Sequence, residues 1–512
     1  MIAWLAALAA GVLVAVALPP NGVWPLVLAL AVPFALTARA ASVRAAFGVG
    51  AAFALGFFAV YVAWLPRSFA DPGLLGPWFW ALHPFLLAIL AVMWGLVTAF
   101  ARALGGRGAG ALLLLPPYWA VGEALRASGY FAFPWGALGY AWLDTPVAQT
   151  ADVLGVPGLG LLVTASAALL ALPFAPRRTS GFGGASPRRA PAAERALGPL
   201  LALALLAGAW VWGSLAVGRH DVPAERTALL VQGDVDPFGR AVAASDDLTV
   251  HVDLTRQAVA RMAAPPDLVV WPEGAVTGLP LDGARGAPGR AAVQAAAPSA
   301  TFVVGGRAVA PGGSANAAFA IADGQPWGRY DKFVLVPFGE RWPLLETAPG
   351  LYRAVFGLLG LPMLVNTVPG AGPEPLASPL GPLGVAICYE SVFPTVSAAM
   401  ARAGAGVLVV ITNDAWFARG DGARQHLDMG RFRAIETRRW LLRAGNDGIT
   451  AVVDPYGRVV EELPRGSAAT LAVRYGTSEV VTPFARHADR LPWVLAGLVL
   501  LVTPVALARR GR

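Results

Sequence analysis

The sequence predicts a multi-pass α-helical membrane bundle joined to a single α/β domain. Three observations predict it. The chain is 56% hydrophobic and only 14% charged, with a mean hydropathy of +0.59, too apolar for an ordinary water-soluble protein. Apolar runs long enough to cross a bilayer crowd the first 217 residues and recur after residue 490. The stretch of about 270 residues between them alternates short β-branched runs with longer amphipathic ones, the pattern of helices covering a sheet.

Eight spans are expected, at about 2–18, 24–41, 44–64, 77–103, 109–126, 156–175, 197–217 and 491–508. The fifth is the least regular, because Pro116, Pro117 and Glu123 interrupt it. The first lacks the basic start and the small-residue cleavage site of a signal peptide, so it is read as a membrane helix. Arg39 and Arg44, Arg102 and Arg107, the group Arg177, Arg178, Arg188, Arg189 and Arg195, and the tail Arg509, Arg510 and Arg512 fall on one side when the spans alternate. Basic loops stay in the cytoplasm. Both termini are therefore expected inside and the large segment outside. This divides the chain into a seven-helix region (1–217), an extracytoplasmic domain (218–489), and a last span with its basic tail (490–512).

The net charge of +8 is mostly this topological arginine, and no basic stripe carries interleaved aromatics, so nucleic-acid binding is not expected. Within the spans the ionisable residues are almost confined to His83 and Glu123, which argues against an ion-coupled transporter. One cysteine excludes an internal disulfide. No metal ion or cofactor is expected. Segment 176–196 reads as a polar loop.

In the α/β segment, "TALLVQGDV", "DLVVWPEGA", "TFVVGGRAV", "ANAAFAIA", "GPLGVAICYE", "GAGVLVVITND" and "GITAVVDPYGRVV" read as strands, and "DDLTVHVDLTRQAVARMA" and "RFRAIETRRWLLRAGN" as amphipathic stretches. Such folds build their sites where strands end. Three reactive side chains stand there: Glu273 after "DLVVWP", Lys332 after "RYD", and Cys388 after "LGVAI". Lys332 is the only lysine among 39 basic residues, and Cys388 the only cysteine. Taken singly, Glu273 could be a solvated strand end and Cys388 a small core hydrophobe. Spread over 115 residues, the three have no spacing that brings them together.

"WPEGA", "YDKFVLVPFGE" and "GVAICYESVFP" resemble, in that order, the three catalytic segments of the carbon–nitrogen hydrolase (nitrilase) superfamily. With the eight spans, "FPWGALGY" and "TNDAWF…QHLDMGRFRAIE", nearly the whole chain is similar to the apolipoprotein N-acyltransferase family. The resemblance implies a nitrilase-like αββα sandwich on the periplasmic side of a bacterial inner membrane. It implies transfer of an acyl chain from a phospholipid donor to the N-terminal amine of a diacylglyceryl lipoprotein, by a monomer. Cys388 would carry the acyl group as a thioester, Glu273 would act as the base, and Lys332 would lower the thiol pKa and meet the oxyanion. Glu340 matches a second carboxylate that orients the lysine. Tyr389 and Glu390 are positioning groups, and Trp416 and Phe417 line an acyl entrance. The rival reading is a membrane-tethered amidase using the same three residues with water as acceptor.

The apolar stretch 348–365 reads either as a buried core helix or as an arm dipping into the outer leaflet. Departures from the family's usual pattern occur at "PFGRAV" (237–242), where a Lys-Trp pair is usual, at "ARGDGA" (418–423), at 438–440, and after "FPW".

Overall fold

The computed structural model describes residues 1–70, 78–176, 192–219, 222–235, 244–359, 367–417 and 420–511. The basic residues between 177 and 189, the stretch "PFGRAV", and most of the end of the apolar 348–365 segment lie outside the described residues. Two compact units emerge: Met1–Pro66 with Pro77–Val217 and Asp489–Arg512, and Arg67–Gly76 with Gly218–Ala488.

Among the described residues, five helices are long and apolar enough to cross a membrane: Val43–Tyr61, His83–Gly105, Pro146–Phe174, Arg195–Ala216 and Pro483–Ala508. Two shorter apolar helices, Ile2–Ala17 and Trp24–Arg39, accompany them. Helix Ala109–Arg126 continues through Pro116 and Pro117. Lipid-embedded helices gain little from hydrophobic force against one another, so close approach matters. Gly11 and Gly56 permit it, since a Cβ at either would run into the facing backbone at Phe53 or Leu8. Edge-to-face aromatic pairs fill the interior: Trp94–Trp119 at 5.3 Å, Phe53–Trp119 at 5.4 Å and Phe58–Trp94 at 6.1 Å. The Arg126 guanidinium lies 5.6 Å from the Phe58 and Trp94 rings, whose faces accommodate its charge. The buried Glu123 accepts the Leu138 N–H at 3.0 Å and so ties down the "FPWGALGY" loop.

The second unit is a two-sheet sandwich. Its strands are β1 (Arg226–Gln232), β2 (Leu268–Val276), β3 (Thr301–Ala310), β4 (Gly313–Ala322), β5 (Gln325–Asp331), β6 (Leu383–Ile387), β7 (Val407–Thr412), β8 (Leu441–Gly445), β9 (Ala451–Val453), β10 (Val459–Glu462) and β11 (Ala469–Tyr475). One sheet has the order β11-β1-β2-β3-β4-β5 and the other β10-β9-β8-β7-β6. The first sheet has a parallel centre, β1-β2-β3, flanked on both sides by antiparallel strands, and the second has a parallel trio, β6-β7-β8, with antiparallel strands on the β8 side only.

Successive residues of a strand point to opposite faces, so a sheet covered on both sides reads as an unbroken apolar run. Along β1, Ala228 and Leu230 enter the core shared with Val385, Ile387, Val409 and Ile411 of the other sheet. Leu229 and Val231 enter a second core, beneath helices Ala244–Val259 and Ala287–Gln294. On the far side, Leu408 and Val410 meet Leu427 and Ala434 of helix Gly422–Thr437. The layers are therefore α, β, β, α.

Strand β5 was not legible in the sequence, because Pro326 and Gly328 break its pattern. Both are tolerated because β5 is an edge strand. Helix Pro349–Leu359 begins the apolar segment; Phe356 packs with Trp342, Leu345 and Tyr352, while Leu351 and Val355 are exposed.

Candidate active site

Glu273 owes its direction to an interruption in β2. Pairing with β3 runs to Trp271↔Val304 and resumes only at Val276↔Gly306, so residues 272–275 bulge out of the ladder and re-aim the carboxylate. Gly305 makes room, because a Cβ there would strike the Pro272 carbonyl and the Glu273 backbone. Lys332 follows β5 and is fixed through its backbone: its N–H donates to Asn316 O and its carbonyl accepts from Gly370 N, both at 2.8 Å. Cys388 follows β6 with φ +52, a conformation that costs a non-glycine residue about 1–3 kcal/mol and recurs at functional turns.

Glu273, Lys332 and Glu340 converge. Lys332 Nζ, with its side chain 1% exposed, lies 3.3 Å from Glu273 Oε1 and 2.9 Å from Glu340 Oε2. One cation thus faces two carboxylates. Burial alone would strip the lysine of its proton, but Glu273, Glu340 and the Cys388 sulfur outweigh it and raise its pKa above the ordinary value. Burial likewise opposes the charge of Glu340, yet Lys332, the Val336 N–H and Asn316 hold its carboxyl below the usual range.

The Cys388 thiol departs from expectation. Lys332 lowers its pKa, but burial and then the Glu273 charge raise it, and the net shift is upward. The sulfur therefore rests as a thiol beside a carboxylate. Reaction needs proton transfer at the moment of attack, not a standing thiolate.

Asn316, on β4, carries no role in the sequence reading, yet its side-chain amide donates to Glu273 Oε1 at 2.7 Å and to Glu340 Oε1 at 2.9 Å. Its signal was weak: one amide side chain in the run "SANAAFAIA". The Asn413 N–H donates to the other Glu273 oxygen at 3.0 Å.

Glu390 is a staple. Its carboxylate accepts from the Tyr330 hydroxyl (2.8 Å) and from the backbone N–H groups of Phe333 (2.7 Å), Val334 (3.0 Å) and Ile387 (2.8 Å). It thereby ties the segment after Lys332 to the turn bearing Cys388. Burial raises its pKa, while the three backbone N–H donors and the Lys332 charge pull it back. Tyr389 is buried against Phe393, with rings 5.2 Å apart. Trp416 and Phe417 lie in the turn Asp414–Phe417; Trp416 is exposed, and Phe417 packs 5.3 Å from the His426 ring.

Behind Cys388 lies a second cluster. His426 Nδ1 is 3.0 Å from Asp414 Oδ1, Arg443 Nη2 donates to Asp414 Oδ2 at 2.6 Å, and Ser391 Oγ is 2.9 Å from His426 Nε2. These residues were missed because "TND" and "QH" are short polar stretches of a common kind until the fold buries them. Among the described residues, no group of three or more His, Cys, Asp and Glu side chains is placed to hold a metal.

Comparison with known proteins supplies the context. Residues 10–169 match the model of the apolipoprotein N-acyltransferase N-terminal domain, and residues 228–480 that of carbon-nitrogen hydrolase. The chain is 33% identical over 99% of its length to the apolipoprotein N-acyltransferase of Geobacter metallireducens, covering 96% of that protein. It is 34% identical, over 99% of its length and 95% of the relative, to that of Azotobacter vinelandii. Among solved structures, an amidase from Nesterenkonia sp. is 19% identical with a TM-score of 0.40, spanning 54% of this chain and 99% of that one. On the full-length matches, the chain belongs to the apolipoprotein N-acyltransferase family.

Proposed function

We propose that this protein transfers a fatty acyl group from a phospholipid, through a thioester on Cys388, to the α-amino group of the N-terminal diacylglyceryl-cysteine of a lipoprotein. The observation that carries the mechanism is Lys332 Nζ held between Glu273 and Glu340, in electrostatic contact with the chain's one cysteine. In the first half, Glu273 takes the thiol proton as sulfur attacks the ester carbonyl. Lys332 and the Tyr389 N–H meet the oxyanion. The C–O bond then breaks, and the departing lysophospholipid oxygen takes the proton from Glu273. In the second half, the lipoprotein amine attacks the thioester, Glu273 removes its proton, the C–S bond breaks, and the sulfur recovers that proton.

A two-carboxylate arrangement suits this cycle. Glu340 balances Lys332, which leaves Glu273 to give and take protons. Asn316 spaces the two carboxylates with one amide proton each. Trp416 and Phe417 border the acyl path, and the half-exposed apolar helix Pro349–Leu359 touches lipid through Leu351 and Val355. The protein works as a monomer, without metal or cofactor.

For topology, we propose eight spans in a bacterial inner membrane, both termini cytoplasmic, and residues 218–489 on the periplasmic side. Arg39, Arg102 and Arg107 support this, because they gather at one end of the bundle: Arg102 Nε donates to Ala40 O at 3.0 Å and Arg107 Nη2 to Arg39 O at 3.2 Å.

Intact-mass measurement tests the reading. Purified protein incubated with phospholipid should gain one acyl mass, mapped to Cys388, and lose it when a diacylglyceryl-cysteine peptide is added. No mass gain, or release of the acyl group to water at the rate of transfer, would refute it and favour the amidase.

A further inference from the structure

The carbonyl oxygen of Cys388 is held from behind. Ser391 Oγ donates to it at 2.8 Å, and His426 Nε2 lies 3.1 Å away. A trans peptide is planar, so the N–H of Tyr389 points opposite to the Cys388 carbonyl, and whatever aims one aims the other. At φ +52 this elbow sits in a sparsely populated conformation that its surroundings must maintain.

The hold on His426 is itself built. A carbonyl only accepts, so the contact at Cys388 O needs a proton on Nε2. Nδ1 lies 3.1 Å from Arg443 Nη2 and 3.0 Å from Asp414 Oδ1; with the proton on Nε2, Arg443 is its donor. Asp414 anchors Arg443 at 2.6 Å and is itself held by the Thr412 hydroxyl at 2.9 Å. Burial and the Arg443 charge lower the pKa of the ring, so it stays neutral. His426, Asp414, Ser391 and Arg443 are all at most 1% exposed, so this cluster is closed to substrate and water alike.

We propose that His426 and Ser391 are positioning residues that orient the Cys388–Tyr389 peptide, so that the Tyr389 N–H faces the oxyanion formed when the thiol attacks the acyl donor. This deepens the acyl-transfer reading and rests on it.

Because the chain has one cysteine, two reactions can be followed at the same sulfur. Attack on phospholipid forms an oxyanion; alkylation by iodoacetamide, a displacement at saturated carbon, does not. In the full-length protein, His426→Asn, too short to reach Cys388 O, should slow acylation about 10- to 100-fold, on the scale of a disturbed oxyanion donor. His426→Gln, whose amide nitrogen reaches further, should recover most of that loss. Ser391→Ala should slow acylation about tenfold. In all three, alkylation should stay within about twofold of wild type.

Acylation and alkylation falling in parallel, or acylation unchanged, would overturn the proposal. If His426→Asn does not fold, Ser391→Ala decides by the same two rates. A wild-type protein that gains no acyl mass on Cys388 would overturn the acyl-transfer reading and this inference with it; a wild type that acylates normally and a Ser391→Ala variant that matches it would overturn the inference alone.

Discussion

Two buried charge clusters meet at Cys388, one acting on its thiol and one on its carbonyl, and they differ in access and in balance. On the thiol side a single cation, Lys332, faces Glu273 and Glu340, whose side chains are 12% and 16% exposed. On the carbonyl side Arg443 faces one carboxylate, Asp414, with neutral His426 between them, and none of the three is more than 1% exposed. The first has an excess negative charge and an opening, as a group that exchanges protons with substrate must have. The second is matched and sealed, and so suited to holding geometry. Buried charges of similar appearance thus serve opposite ends, and charge count with solvent access tells them apart.

The largest expected effect tests the thiol side. Lys332→Arg preserves the charge but replaces a compact ammonium by a planar fork too large for the gap between two carboxylates and an oxyanion. Acyl-enzyme formation, read by intact mass, should fall by at least about a thousandfold while the protein still folds. Substantial residual acylation would show that charge alone suffices there.

A smaller effect tests the sealed side, in stability. Asp414→Asn leaves Arg443 buried without its carboxylate and should cost about 3–5 kcal/mol in urea denaturation of the solubilised protein. The sign with pH follows. Burial opposes ionisation of Asp414, but its partners, the Arg443 charge first, outweigh it and hold its carboxyl well below the ordinary range. A depressed carboxyl stabilises the fold above its unfolded pKa, about 3.9, and loses that contribution as pH falls toward the folded value. The gap between wild type and variant should therefore narrow below about pH 4. A gap that stays constant would mean that the pair is not the source.

The smallest effect sharpens the division. Asn316→Ala removes one donor from Glu273 and one from Glu340. Acylation should slow about tenfold, the worth of a hydrogen bond to a charged group, with the urea midpoint little changed. If stability fell and rate did not, Asn316 would belong with the structural cluster instead.

What could be read without a structure, and what could not, follows the same line. Lys332 and Cys388 stood out as single copies and Glu273 as a carboxylate after an apolar run, while Glu340 was visible only through the resemblance of its motif. Asn316, His426, Asp414 and Arg443 did not, since common polar residues gain meaning only from the partners that folding brings to them. Strand β5, which delivers Lys332, was hidden by Pro326 and Gly328.

Local chemistry written along the chain was enough to specify apolar runs, a strand–helix alternation and a lone Lys and Cys, because hydrophobic periodicity and residue identity need no partner to be seen. Convergence was a matter for the folded sandwich. Three segments spread over 115 residues meet only in the fold, where Gly305 admits a bulge that turns Glu273 and Glu390 staples the Lys332 segment to the cysteine turn. The direction of the Cys388 pKa was likewise decided there, because burial and the Glu273 charge outweigh Lys332 only at the distances that packing imposes.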